Sequence, residues 1–304
     1  MLTRVQIICF SASYAVALGL EIARLFYQAP LRTVVAWGFT AAGLLAKTFF
    51  LVARGAQEPL HSPPLSSWFD WLLIVAWGVV AVYLGASLRR PQAAWGIFVL
   101  PAVLLLIALA WLFRDTAPFP RDQALVVWAL VHGLALLLGV ITALLAFVAG
   151  LMYLVHSYRL KHKFPPREGL RLPTLEWLQL ANRRLLIAAS CLLAAGLISG
   201  VVLNAIKRQD GMSWTDPVVW SSGVLLVWLV GVLIFEMRYK PAQEGRKVAY
   251  LTVASFFFLG MVMATVLLVP SQHAAPGRVG GRTGNATGVE QDGPEDRREE
   301  GSGR

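Results

Sequence analysis

Residues 126–156 read VVWALVHGLALLLGVITALLAFVAGLMYLVH. The run is apolar without alternation, which suits a membrane helix and not a strand of a barrel. With a rise of about 1.5 Å per residue, roughly 20 such residues cross the hydrocarbon of a bilayer, and this run is longer. Working outward from it, comparable runs lie near 5–27, 32–53, 68–88, 92–113, 183–206, 217–237 and 246–269. A composition of 57% hydrophobic and only 14% charged residues could not make a soluble surface. The sequence therefore predicts an all-α integral membrane protein, a bundle of about eight transmembrane helices. Its first run lacks a small-residue cleavage site followed by polar sequence, and Glu21 and Arg24 lie near its far end. It reads as a retained helix and not as a signal peptide.

Lysine and arginine orient the bundle. One set of loops and helix ends holds Arg24, Arg32, Arg89, Arg90, Arg159, Lys161, Lys163, Arg167, Arg171, Arg183, Arg184, Arg238, Lys240, Arg246 and Lys247. The opposite set is poorer, with Arg4, Arg54, Arg114, Arg121, Lys207 and Arg208 interspersed with Glu58, Asp115, Asp122 and Asp210. The richer side is expected to be cytoplasmic, which puts both termini outside; the expected location is a bacterial plasma (inner) membrane, crossed many times. The net charge of +10 records this asymmetry. Cations that border membrane spans form no soluble basic face, so the lipid bilayer is the expected partner and nucleic acid is not.

Three regions follow: an N-terminal four-helix half over 1–125, a C-terminal four-helix half over 126–270, and a polar tail over 271–304 read as disordered. Between the fifth and sixth runs, the amphipathic stretch Leu175-Glu-Trp-Leu-Gln-Leu180 is expected to lie along the inner membrane surface. Cys9 and Cys191 fall inside spans, where cysteine behaves as a small apolar residue, and no Cys-x-x-Cys offers covalent haem attachment to this chain.

No Walker loop, nucleophile elbow, His-Glu-x-x-His or dinucleotide fingerprint occurs, so the expectation is a protein that is not an enzyme. Histidines at membrane edges remain. His132 lies near the outer end of the fifth run, and His273 follows the eighth in Val269-Pro-Ser-Gln-His273. Opposite chain directions bring the two to one face, where two neutral imidazoles could supply the axial ligands of a haem iron. A packing histidine and the start of a tail would look the same. Between them runs Gly211-Met-Ser-Trp214-Thr-Asp216-Pro217, leading to Trp220. Its rings could cover a macrocycle, yet tryptophan belongs at membrane interfaces anyway and Asp-Pro is a good helix start. His61, in a proline-rich outer loop, ranks below these. Two charges lie within spans: Lys47, expected to snorkel outward, and Glu236, expected to pair with Arg238 or Lys240 at the surface.

The order of these features resembles the cytochrome c assembly proteins, in particular their HemX/CcsA-like branch. The resemblance is carried by His132-Gly-Leu-Ala-Leu-Leu-Leu-Gly through Leu151-Met-Tyr-Leu-Val-His-Ser-Tyr-Arg-Leu-Lys161, by Leu172-Pro-Thr-Leu-Glu176, by Asp216-Pro217 and by Gly245-Arg246-Lys247-Val-Ala249. His273 falls where longer members carry a histidine beyond the last helix. The match is best over 130–273. It implies a membrane factor that holds haem b non-covalently at the outer face and presents it to apocytochrome c, alongside other cytochrome c maturation proteins. His132 and His273 would be the axial ligands to the metal, and Trp214, Asp216 and Trp220 the haem-facing loop. Departures are specific. One tryptophan precedes the aspartate where the family has several, and Glu236-Met-Arg238 stands in place of a His-x-Arg. Some relatives also carry histidine where this chain has Lys47. Carboxylate and ammonium replace imidazole poorly as haem ligands, so the resemblance reaches the outer site more fully than any internal one. An alternative from another class is a HemX-like scaffold or regulator of haem biosynthesis that docks through the basic 157–184 segment. A small-solute transporter built on Lys47 and Glu236 is a third.

Overall fold

In hydrocarbon every backbone N–H and C=O must find its partner within the chain, and this chain meets that demand with helices. The computed structural model describes residues 2–26, 30–57, 67–89, 93–114, 126–163, 172–206, 216–238 and 245–268. They form α1 (Leu2–Ala23), α2 (Pro30–Gln57), α3 (Trp68–Arg89), α4 (Gly96–Leu112), α5 (Val126–Lys161), α6 (Leu175–Ile206), α7 (Pro217–Arg238) and α8 (Gly245–Leu268). Among the described residues there is no strand. Six helices, α2, α3, α5, α6, α7 and α8, are long and apolar enough to cross a membrane. The apolar stretches of α1 (Ile7–Ala23) and α4 (Gly96–Leu112) are shorter. Local sequence sets several of the starts. Ser67 caps α3, its Oγ accepting from the Asp70 N–H at 3.3 Å and donating to Asp70 Oδ2 at 3.0 Å, a reciprocal cap at Ser-x-x-Asp spacing.

Packing order gives two rings. In the first, α1 packs on α2 and α4, and α3 on α2 and α4; in the second, α5, α6, α7 and α8 each touch the next and α8 returns to α5. α3 and α4 lean on α5, and one apolar core runs from Phe10 on α1 through Leu73, Leu100 and Met152 to Ala249 on α8. The most extensive pairing is α5 with α6. It is antiparallel and very close, because glycines let backbones approach where lipid supplies no hydrophobic drive to associate. A methyl on Gly139 would lie 2.8 Å from the Leu193 side chain, and one on Gly196 2.6 Å from that of Leu136.

Three expectations change. The amphipathic stretch 175–180 does not lie along the surface: it is the first part of α6, which runs unbroken from Leu175. Thr174 starts the helix with its Oγ1 3.4 Å from the Trp177 N–H, Leu178 is fully buried, and Trp177 meets Trp95 edge-on at 5.1 Å. At about 1.5 Å per residue, the 32 residues of α6 and 36 of α5 span roughly 48 and 54 Å, well beyond a hydrocarbon core of about 30 Å. Lys47 does not snorkel. It is fully buried, its Nζ lies 5.5 Å from the Phe10 ring centroid, and it makes no hydrogen bond among the described residues. Helical side chains point back toward their own N-terminus, which aims Lys47 toward Gly43 and away from the nearer helix end. Glu236, 3% exposed, pairs with Arg183 of α6, while Arg238 is exposed and Lys240 lies outside the described residues. Cys9 and Cys191 are free and exposed on the bundle surface.

A buried lysine without an acceptor is a cost that an apolar chain of similar length removes. Lys47→Met is expected to raise stability by about 1–3 kcal/mol, read as a higher thermal unfolding midpoint in detergent. A lower midpoint would mean that the amine has a stabilising partner.

Candidate functional site

Two polar sites stand out at opposite ends of the second ring. At the end rich in basic residues, Arg183 Nε donates to Glu236 Oε2 at 2.8 Å and its terminal nitrogen to the Glu236 carbonyl at 3.4 Å, tying α6 to α7. On α8, Arg246 Nε donates to Ser157 Oγ of α5 at 2.7 Å. His156 is used structurally as well, its Nδ1 3.1 Å from the Pro173 carbonyl at the approach to α6. These contacts clamp the four helices at one end. Glu236 Oε1 and Asn182 Oδ1 are both buried there without a hydrogen-bond partner among the described residues.

At the other end His132 stands on α5, one and a half turns in, half-buried against α6. Its Nδ1 lies 2.7 Å from the Gly196 carbonyl oxygen. A carbonyl oxygen only accepts, so Nδ1 carries the proton and Nε2 bears the lone pair. Ser199 Oγ donates to the same Gly196 oxygen at 2.7 Å and lies 3.4 Å from Nδ1. The ring fits because position 200 is glycine: a methyl there would sit 2.7 Å from the imidazole Cε1. These three α6 residues escaped the sequence reading. Their signal is present as Gly196-Leu-Ile-Ser199-Gly200, a small-xxx-small spacing that brings helices close.

The remaining sequence candidates fall as follows. Asp216 is buried and caps α7, its Oδ1 accepting from the Val218 N–H at 2.8 Å with Pro217 in the first helical position. Trp220, one turn further, is 67% exposed on the outside of α7. Arg183 joins the start of α6 to the end of α7, so those helices are antiparallel and the head of α7 lies at the His132 end. α8 runs antiparallel to α5, as the Arg246–Ser157 contact near the start of one and the end of the other requires. The chain therefore leaves α8 toward the His132 end. His273 and Trp214 themselves, like His61, lie outside the described residues.

Among the described residues no three His, Cys, Asp or Glu side chains gather as a polydentate metal site. A haem iron asks less, since the porphyrin supplies four ligands and the protein only axial ones. An imidazole oriented by a backbone carbonyl, with Nε2 as its free lone pair, has the donor chemistry for that position.

A multi-pass helical membrane protein with one oriented histidine at the end of a glycine-packed helix pair is the class this geometry defines. The family model for cytochrome c assembly protein matches residues 65–272, and the chain belongs to that family. It is similar to the cytochrome c biogenesis protein CcsA of Thermosynechococcus vestitus, 25% identical over 76% of this chain and 83% of the relative. The CcsA of Gloeobacter violaceus is 22% identical over 84% and 91%, and that of Trieres chinensis 23% over 64% and 72%. No solved structure matches. The matched region holds His132, its α6 cradle, Asp216, Trp220 and the Arg183–Glu236 pair.

Removing Arg183 strands a buried carboxylate. Arg183→Ala should lower stability by about 1–3 kcal/mol, less than for a fully buried pair because the Arg183 side chain is 30% exposed. Adding Glu236→Gln should restore most of that loss in the same thermal assay. Equal midpoints for wild type and Arg183→Ala would show that the pair carries no stability.

Proposed function

We propose that this chain, within its role in cytochrome c biogenesis, holds haem as cargo at the outer face of a bacterial plasma membrane and presents it to apocytochrome c. The single observation that supports this most is the pinning of His132 Nδ1 by the Gly196 carbonyl at 2.7 Å, which leaves Nε2 as the nitrogen offered to a ligand. His132 and His273, the latter five residues beyond α8 in the sequence, would hold the haem iron through their imidazoles. Trp214, Asp216 and Trp220 would form the haem-facing segment, supported by the Asp216 cap that fixes the head of α7 and by the exposed ring of Trp220. Bound haem b supplies the iron that accepts the imidazoles. In this reading the chain acts by ligation and presentation, making and breaking no covalent bond, and is not an enzyme. All eight helices cross the bilayer in this reading, with both termini outside and the Arg183–Glu236 clamp toward the cytoplasm. Other cytochrome c maturation proteins are its working partners.

Replacing the chromosomal copy by His132→Ala, at a protein level matched by immunoblot, should lower c-type cytochromes roughly tenfold or more, seen by haem staining. Undiminished cytochromes would remove His132 from the mechanism.

A further inference from the structure

The geometry points to a tuning shell around His132: Ser199 and the Gly196 carbonyl set how strongly Nε2 donates, and Gly200 seats the ring. This deepens the haem-holding reading and rests on it. One oxygen, that of Gly196, accepts both the Nδ1–H of His132 and the O–H of Ser199, each at 2.7 Å. Within α6 the same oxygen also takes the Gly200 N–H of the helix ladder, and each further donor draws on its electron density, so the serine weakens the bond to the imidazole. A stronger Nδ1–H bond makes a ligating imidazole more basic and favours oxidised iron. Ser199 therefore moderates His132, holding the reduction potential of a bound haem above the value it would have without the serine hydroxyl. Ser199 itself is 5% exposed and lies on the face of α6 that meets α5, so it reaches this oxygen and not solvent. Gly200 acts by shape. Any side chain there would meet Cε1 at 2.7 Å and push the ring off the carbonyl. These are positioning residues, since each acts through the imidazole of His132.

Two measurements on the full chain in detergent test this. In haem-free protein labelled with ¹⁵N-histidine, the His132 signals are identified by their loss in His132→Gln. The expected tautomer is protonated at Nδ1 in wild type and in Ser199→Ala, and mixed in Gly200→Ala. An Nε2-protonated ring in wild type would overturn the inference whether or not haem binds. In haem-loaded protein, potentiometric titration followed by absorbance should give Ser199→Ala a lower reduction potential than wild type, with Ser199→Thr restoring the wild-type value. An unchanged or higher potential in Ser199→Ala would overturn the tuning role while leaving haem binding intact. Wild type that takes up no haem would overturn the haem reading and this role with it.

Discussion

The close, antiparallel approach of α5 and α6 is the constraint on which the rest depends. His132 faces Gly200, Leu136 faces Gly196, Gly139 faces Leu193 and Gly150 faces Asn182. Each step along α5 is matched by an equal step back along α6, so one register holds over most of the pair. In lipid such a seam draws on dispersion and close backbone approach, not on exclusion of water. The same glycines that let the helices touch put a backbone carbonyl within hydrogen-bond reach of an imidazole. Packing and site are one feature here: widening the seam would release His132.

The seam also organises the polar residues at its far end. Antiparallel α7 and α8 close the ring, and their basic-end contacts, Arg183 with Glu236 and Arg246 with Ser157, fix their rotation. The antiparallel direction puts the head of α7, capped by Asp216, at the same end of the ring as the His132 cradle. Lys47 belongs to a different logic. It sits on α2 in the first ring, its Nζ over the Phe10 ring of α1 and without a hydrogen-bond partner among the described residues.

Helical runs were legible in the sequence because twenty apolar residues in succession have few other uses, and the Asp-Pro start of α7 was legible because a cap is local. His132 stood out as a polar residue near a membrane edge. Its partners did not, since the bond from His132 to Gly196 joins residues 64 apart, and a glycine has no side chain to announce a role. The start of α6 was misplaced for a related reason. Arg183 and Arg184 looked like a membrane boundary, but the charge of Arg183 is answered by Glu236, 53 residues away on another helix. Sequence windows see a charge and cannot see its counter-charge. Lys47 was misread through direction: helix geometry decides which end a long side chain can reach.

Haem ligation by His132 is the central claim, and the visible absorption spectrum of the purified chain tests it most directly. Oxidised and reduced spectra of wild type should show low-spin haem in equimolar amount, and His132→Ala should lose that haem or convert it to high spin. Wild type that stays haem-free after haem is added, or a His132→Ala spectrum identical to wild type, would contradict the account.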